Sequence, residues 1–234
     1  MGKVKIKRKS TLIDMTAMSD VTVLLLTFFM LTSTFLQKEP VTVLTPSSVS
    51  EIKVPMTNCA SILISPEGKV FISVSGDADS TYSTEKVRAE LIQTAVTEYN
   101  KTHKSNPIQL TQAQITKFSK INMFGVKLSE LPKFLDMEQF EQDEMIGDMS
   151  NPIVGIPVDD NKDLSKPNEF QIWMRAIYNS SNPNLGDAIK KGEGIAIKAD
   201  KDTPYEVVHG VLDNLQTLKM NKFSLMTALK TEED

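Results

Sequence analysis

Residues 15–36 read MTAMSDVTVLLLTFFMLTSTFL, and the rest of the chain is arranged around them. Twenty-two residues of α-helix rise about 33 Å, against a hydrocarbon core of about 30 Å, so the stretch is long enough to cross a bilayer. Its strictly apolar runs are short, Val23–Leu26 and Phe28–Leu31. Thr16, Ser19, Asp20, Thr22, Thr27, Thr32, Ser33 and Thr34 bring hydroxyls and one carboxylate into the span. An ionised Asp inside a transmembrane helix costs roughly 2.5–3.5 kcal/mol on insertion scales, so a chain that keeps one there has a use for it.

The placement of these polar groups narrows that use. Thr16, Asp20, Thr27 and Thr34 are separated by four, seven and seven residues, which puts them on one helical face with Val23, Leu24 and Leu31. Such a stripe predicts a helix buried among other membrane helices. Asp20 then faces a partner or a water-filled path, with the threonines as supporting polar contacts. A proton or ion can be taken up by such a carboxyl on one side and released on the other. Two alternatives use the same residues. A span starting at Val21, with Asp20 at the interface, leaves only sixteen residues and about 24 Å of helix. A cleaved signal peptide would share the basic start, but the charge at the head of the apolar run and the bulky Phe35 and Leu36 after the small residues count against cleavage.

The flanks orient the helix. Lys3, Lys5, Lys7, Arg8 and Lys9 precede it, whereas only Lys38 opens the far side, which places residues 1–14 in the cytoplasm as a basic tail against anionic lipid heads. Some 200 residues follow on the outer side. Beyond residue 36 there are 21 basic and 28 acidic residues, a net charge of minus seven, so nucleic acid is not an expected partner. The hydrophobic fraction, 40%, is that of a globular chain with a core. A single cysteine, Cys59, forbids an internal disulfide and reads as a small buried residue, an intermolecular bridge being the alternative.

Residues 37–58 contain three prolines and no helical period, which predicts an extended linker. Within it Glu51, Ile52, Lys53 and Val54 alternate and end at Pro55, as an edge strand able to pair with another chain would. From residue 59 the pattern is α+β. Ala60–Ser65 and Val70–Ser75 flank Pro66-Glu67-Gly68-Lys69 as a hairpin, and Ser83 reads as the hydroxyl cap of a helix with Val87, Leu91, Ile92, Ala95, Val96 and Tyr99 on one face. Near the other end, Ile195–Ala199, Tyr205–Leu218 and Lys222–Thr227 spell strand, helix, strand, a βαβ unit.

Between these halves, residues 101–193 read as an insertion. Candidate helices lie at Leu110–Lys120, Leu131–Met145 and Glu169–Asn179, with Trp173 as a core plug and Glu138, Glu141, Asp143 and Glu144 as a solvated face. The predicted fold is therefore one N-terminal transmembrane helix followed by a small two-layer α/β domain of residues 59–234. No P-loop, dinucleotide fingerprint, nucleophile elbow or Cys/His cluster occurs, and His103 and His209 are the only histidines. No enzyme, cofactor or metal site is expected.

The segment DVTVLLLTFFM, Asp20–Met30, resembles the membrane helix of the ExbD/TolR family, small subunits of bacterial inner-membrane motors. Upstream, IDMTAMSD is similar to the family's approach to its membrane aspartate, with Ala17 where a proline is usual and Asp14 where an asparagine is. Downstream, EIKVP resembles the short strand after the family's tether, and Lys198–Thr227 resembles its final strand, helix and strand. This resemblance implies a homodimer whose two membrane helices sit inside a pentamer of an ExbB- or TolQ-like protein. It implies use of the proton motive force to energise a TonB-like protein, with Asp20 as the proton-carrying residue, Thr16, Thr27 and Thr34 beside it, and Glu51–Pro55 as the partner strand. The outer domain would be periplasmic. A TolR-like tethered module binding peptidoglycan, or a motor subunit serving gliding or secretion, is the alternative.

Overall fold

Ile62 and Ile72 stand opposite each other at the centre of the hairpin expected at 60–75, and the rest of the outer unit is laid around that pair. The computed structural model describes residues 15–32, 39–48, 57–77 and 81–229; the basic tail 1–14 and residues 33–38, 49–56, 78–80 and 230–234 lie outside the described residues. The chain divides into two units, Met1–Lys38 and Glu39–Asp234. In the first, α1 (Met15–Thr32) is a single 18-residue helix.

In the second unit, β1 (Ser47–Ser48) pairs in parallel with β7 (Ala228–Leu229) near the end of the chain. The main sheet has five strands, β2 (Cys59–Ile64), β3 (Val70–Ser75), β4 (Met123–Phe124), β5 (Ile195–Ala199) and β6 (Ser224–Leu225), in the order β4-β3-β2-β5-β6. Its hairpin is β2 (Cys59–Ile64) and β3 (Val70–Ser75), antiparallel and in register from Cys59↔Ser75 to Ile64↔Val70. The turn closes because Gly68 adopts φ +75° and its N–H donates to the Ser65 carbonyl at 2.9 Å, a conformation glycine takes without a Cβ penalty. Alternation then separates the faces. Ala60, Ile62 and Ile64 lie beside Val74, Ile72 and Val70 on one neighbour and beside Ile195, Ile197 and Ala199 on the other, making one apolar face.

Parallel to β2 runs β5 (Ile195–Ala199), and parallel to β5 runs β6 (Ser224–Leu225), joined by α8 (Tyr205–Thr217): the expected βαβ unit is present. β6 is shorter than the predicted Lys222–Thr227, because after Met226 donates to the Ile197 carbonyl the chain leaves the sheet to form β7 against β1.

The first long helix is α2 (Thr84–Thr102), and all six predicted face residues are buried. Ser83 holds the cap position without a side-chain cap bond; it is Thr84 whose hydroxyl accepts the Gly76 N–H at 3.0 Å. α3 (Gln112–Lys120) starts with a full capping box between Thr111 and Gln114. The expected helix over Leu131–Met145 is two helices, α4 (Leu131–Asp136) and α5 (Gln139–Gly147). Met137 is extended and Glu138 starts a second helix through a capping box with Glu141. Glu138, Glu141, Asp143 and Glu144 are exposed, as a solvated face requires.

α6 (Glu169–Tyr178) is buried almost all round: besides Phe170, Trp173, Ala176 and Ile177, Ile172 and Met174 are buried too. It packs on α2 and contacts α8, and α7 (Pro183–Lys191) follows, ending at Gly192 with φ +98°. Residues 101–193 thus enter the same core as the two halves they separate. Their β4 (Met123–Phe124) forms one edge of the sheet, and Phe118, Phe124 and Trp173 cluster with ring centroids 4.5–5.8 Å apart, Phe118 stacked on Trp173 and Phe124 tilted against both.

One contact was not expected from a linker. Residues 39–44 lie on the outer unit: Val43 is buried, the Leu44 N–H donates to Asp200 Oδ2 at 2.6 Å, the Lys201 N–H returns to the Leu44 carbonyl at 3.0 Å, and Glu39 pairs with Lys198 at 2.7 Å.

Candidate membrane carboxylate site

A run of Val, Leu and Phe with no helix breaker from Val21 to Met30 forms a continuous helix, and its 18 residues rise about 27 Å. It is the one helix among the described residues long and apolar enough to cross a membrane. No residue of α1 is buried within the described structure: Val21, Val23, Leu24, Leu25, Leu26, Phe28 and Phe29 are all more than half exposed. An apolar surface of that extent requires lipid or neighbouring helices to cover it.

Asp20 projects from the first half of this helix. The hydroxyls around it are turned inward: Ser19 donates to the Thr16 carbonyl at 2.9 Å, Thr22 to Met18 at 2.6 Å, Thr27 to Leu24 at 2.9 Å and Thr32 to Phe28 at 2.7 Å. Each satisfies its proton within one turn, as a polar group in hydrocarbon must. Thr27 therefore presents acceptor lone pairs rather than a free proton to its surroundings. The helix has no Lys, Arg or His, so Asp20 has no cation of its own helix to neutralise it. Thr16, Asp20 and Thr27 share the predicted face. Thr34 and the Glu51–Pro55 strand lie outside the described residues.

His209 is half-exposed and sits 3.3 Å from Asp213 one turn along α8, and among the described residues no group of three or more His, Cys, Asp or Glu is placed to hold a metal ion. Cys59 is buried, and burial pushes its thiol up, away from the reactive thiolate. Arg88 on α2 is buried; its Nε–H donates to the Val74 carbonyl at 2.8 Å and its Nη2 to Asn122 Oδ1 at 3.0 Å, tying α2 to the sheet. Burial lowers its pKa to about 10, so it stays charged at neutral pH. Glu169 at the start of α6 accepts the Leu128 N–H at 2.8 Å, and burial pushes its carboxyl above the usual range despite that bond and the nearby Lys127 and His103.

Arg88 and Glu169 escaped sequence reasoning; Asp200 entered it only as part of the Ala199-Asp200-Lys201 run in the stretch that resembles the family, with no role given to it.

A family model, biopolymer transport protein ExbD/TolR, matches residues 7–122. The chain belongs, through its amino-terminal half, to the ExbD/TolR family. The matched residues contain all of α1, the linker, the hairpin, α2 and α3. β5, α8 and β6 lie beyond the match, so their place in the fold rests on topology alone. Comparison with curated proteins and with solved structures finds no match. ExbD/TolR membership implies an energy-coupling role in biopolymer transport, a non-enzymatic membrane component, and association with ExbB/TolQ-type and TonB/TolA-type partners.

Proposed function

We propose that the chain is an ExbD-like subunit of a proton-channel motor in the bacterial inner membrane, with its amino terminus cytoplasmic and its α+β unit periplasmic. The observation that carries this reading is Asp20, one carboxylate on an apolar helix with no cation of its own and with neighbouring hydroxyls already bonded to the backbone. Two such helices, one from each chain of a homodimer, sit within a pentamer of an ExbB/TolQ-like protein. The pentamer supplies polar contacts to Asp20 and covers the apolar surface.

The charged carboxylate is held by a polar group of the pentamer. Protonation removes the charge, releases that contact and lets the helix pair step to the next subunit; release of the proton on the other side resets it. One charge crossing 100 mV delivers about 2.3 kcal/mol, enough to bias a two-state helix position by more than tenfold. Thr16, Thr27 and Thr34 line the same face, and Glu51–Pro55 provides the pairing strand through which work reaches a TonB-like protein. Proton conduction by the chain reconstituted with its polytopic partner in vesicles, read with an internal pH dye, tests this: Asp20→Asn reduces flux to the level of protein-free vesicles. Equal flux from both proteins contradicts the role. A TolR-like tethered module that binds peptidoglycan is the reading left if the vesicles never conduct.

A further inference from the structure

The end of α8 is closed by a backbone turn of fixed form. With Leu218 as the cap, the Lys219 N–H donates to the Gln216 carbonyl at 2.9 Å and the Met220 N–H to the Leu215 carbonyl at 2.8 Å, and the turn holds Lys219 at φ +62°. Glycine is the usual residue at that position, because the left-handed region carries a penalty for any side chain with a Cβ. This chain has a lysine there instead. The turn borders a cavity of about 340 Å³ between the ends of α6 and α8. Buried Met220 and Leu164 give the cavity apolar surface, and Tyr178, 41% exposed, adds an aromatic ring. Its charged lining residues are Glu98, Arg175 and Lys219.

We infer that this cavity is a binding site for a small carboxylate with an apolar or aromatic body. Charge sets the sign of the ligand. Both oxygens of Glu98 are already engaged, Oε2 by Lys101 at 3.0 Å and Oε1 by Arg175 at 3.4 Å. Lys219 is exposed, and among the described residues its ammonium has no ion-pair or hydrogen-bond partner. Arg175 directs one N–H at Glu98 and another at the Leu164 carbonyl, 2.9 Å away, which leaves further donors of its guanidinium for a ligand. The lining therefore carries two cations against one neutralised carboxylate, on an outer unit whose acidic residues outnumber its basic ones. A ligand carboxylate meets charge-assisted donors there, while Tyr178 and Leu164 take the apolar body. Ligand cavities run from about 300 to 1,000 Å³, so this one suits a molecule the size of an amino acid rather than a cofactor. All of the lining except Glu98 lies beyond residue 122, outside the family match, and the site does not depend on Asp20.

Binding of N-acetylphenylalanine to the full-length chain in detergent, read by saturation transfer to the probe with protein-free micelles as the baseline, tests the site. The wild type binds this acid, and N-acetylphenylalaninamide, the same body without the charge, binds about tenfold more weakly or worse, the factor set by loss of charge-assisted hydrogen bonds. Lys219→Gly separates the ligand role from a structural one. Glycine suits the left-handed turn, so the denaturant midpoint does not fall, while affinity for the acid drops about tenfold. Lys219→Arg keeps the charge and retains binding. No transfer above the micelle baseline, equal binding of acid and amide, or a Lys219→Gly protein that binds like the wild type overturns the site. Tighter binding of N-acetyl-Gly-Gly-Phe than of the single residue overturns the small-molecule assignment and makes the ligand a chain terminus.

Discussion

At the scale of single residues, a buried charge, Arg88, and a half-buried one, Glu169, do opposite things. Arg88 replaces its lost hydration with the Val74 carbonyl and Asn122 Oδ1, so its removal leaves two acceptors without a side-chain donor. Arg88→Met keeps most of the bulk and is expected to lower stability by about 1–3 kcal/mol, read as a shift in the denaturant midpoint of the full-length chain. An unmoved midpoint would mean the guanidinium only fills space. Glu169 is less well compensated. Because burial raises its carboxyl above the ordinary value of 4.5, the folded state holds this proton more tightly than the unfolded state does. Its contribution to stability therefore falls as pH rises through the interval between the two values. In Glu169→Gln the amide oxygen still accepts the Leu128 N–H, and the decline in melting temperature between about pH 4 and pH 7 becomes shallower than in the wild type. Parallel pH profiles for the two proteins would refute this.

Whole elements were legible where a periodic pattern coincided with a turn or cap. The hairpin followed from two apolar runs around Pro66-Glu67-Gly68-Lys69, and α8 from valines and leucines at helical spacing, because burial on one face imposes those periods. The break between α4 and α5 was not legible. It lies at Met137–Glu138, with neither proline nor glycine, and the residue that starts the second helix is a glutamate rather than one of the usual capping residues. The shortness of β6 and the docking of residues 39–44 escaped for a related reason: a single bond from Leu44 to Asp200 spans 156 positions and leaves no periodic trace. Residues 101–193 are polar and proline-broken, so they read as an insertion, yet Phe118, Phe124 and Trp173 put them in the core. Asp20 was legible at once, since a carboxylate in an apolar run needs no partner in the chain to be noticed.

Over the whole molecule, the candidate carboxylate and the folded sheet lie in different units. The first unit contributes α1, an apolar helix that carries the single carboxylate Asp20, and the second contributes a five-stranded sheet and a closed core. The family match joins them in one stretch, from residue 7 through the helix and linker to residue 122. If Asp20 couples the membrane potential to the outer unit, removing only its charge must uncouple them and leave both folded. The decisive measurement is potential-driven nutrient uptake in cells carrying Asp20→Asn, with the amount of protein and its co-purification with the polytopic partner followed alongside. Uptake abolished with assembly intact is the expected result. Uptake unchanged would contradict the role of Asp20 and leave a membrane-tethered module whose work is done by the outer unit alone.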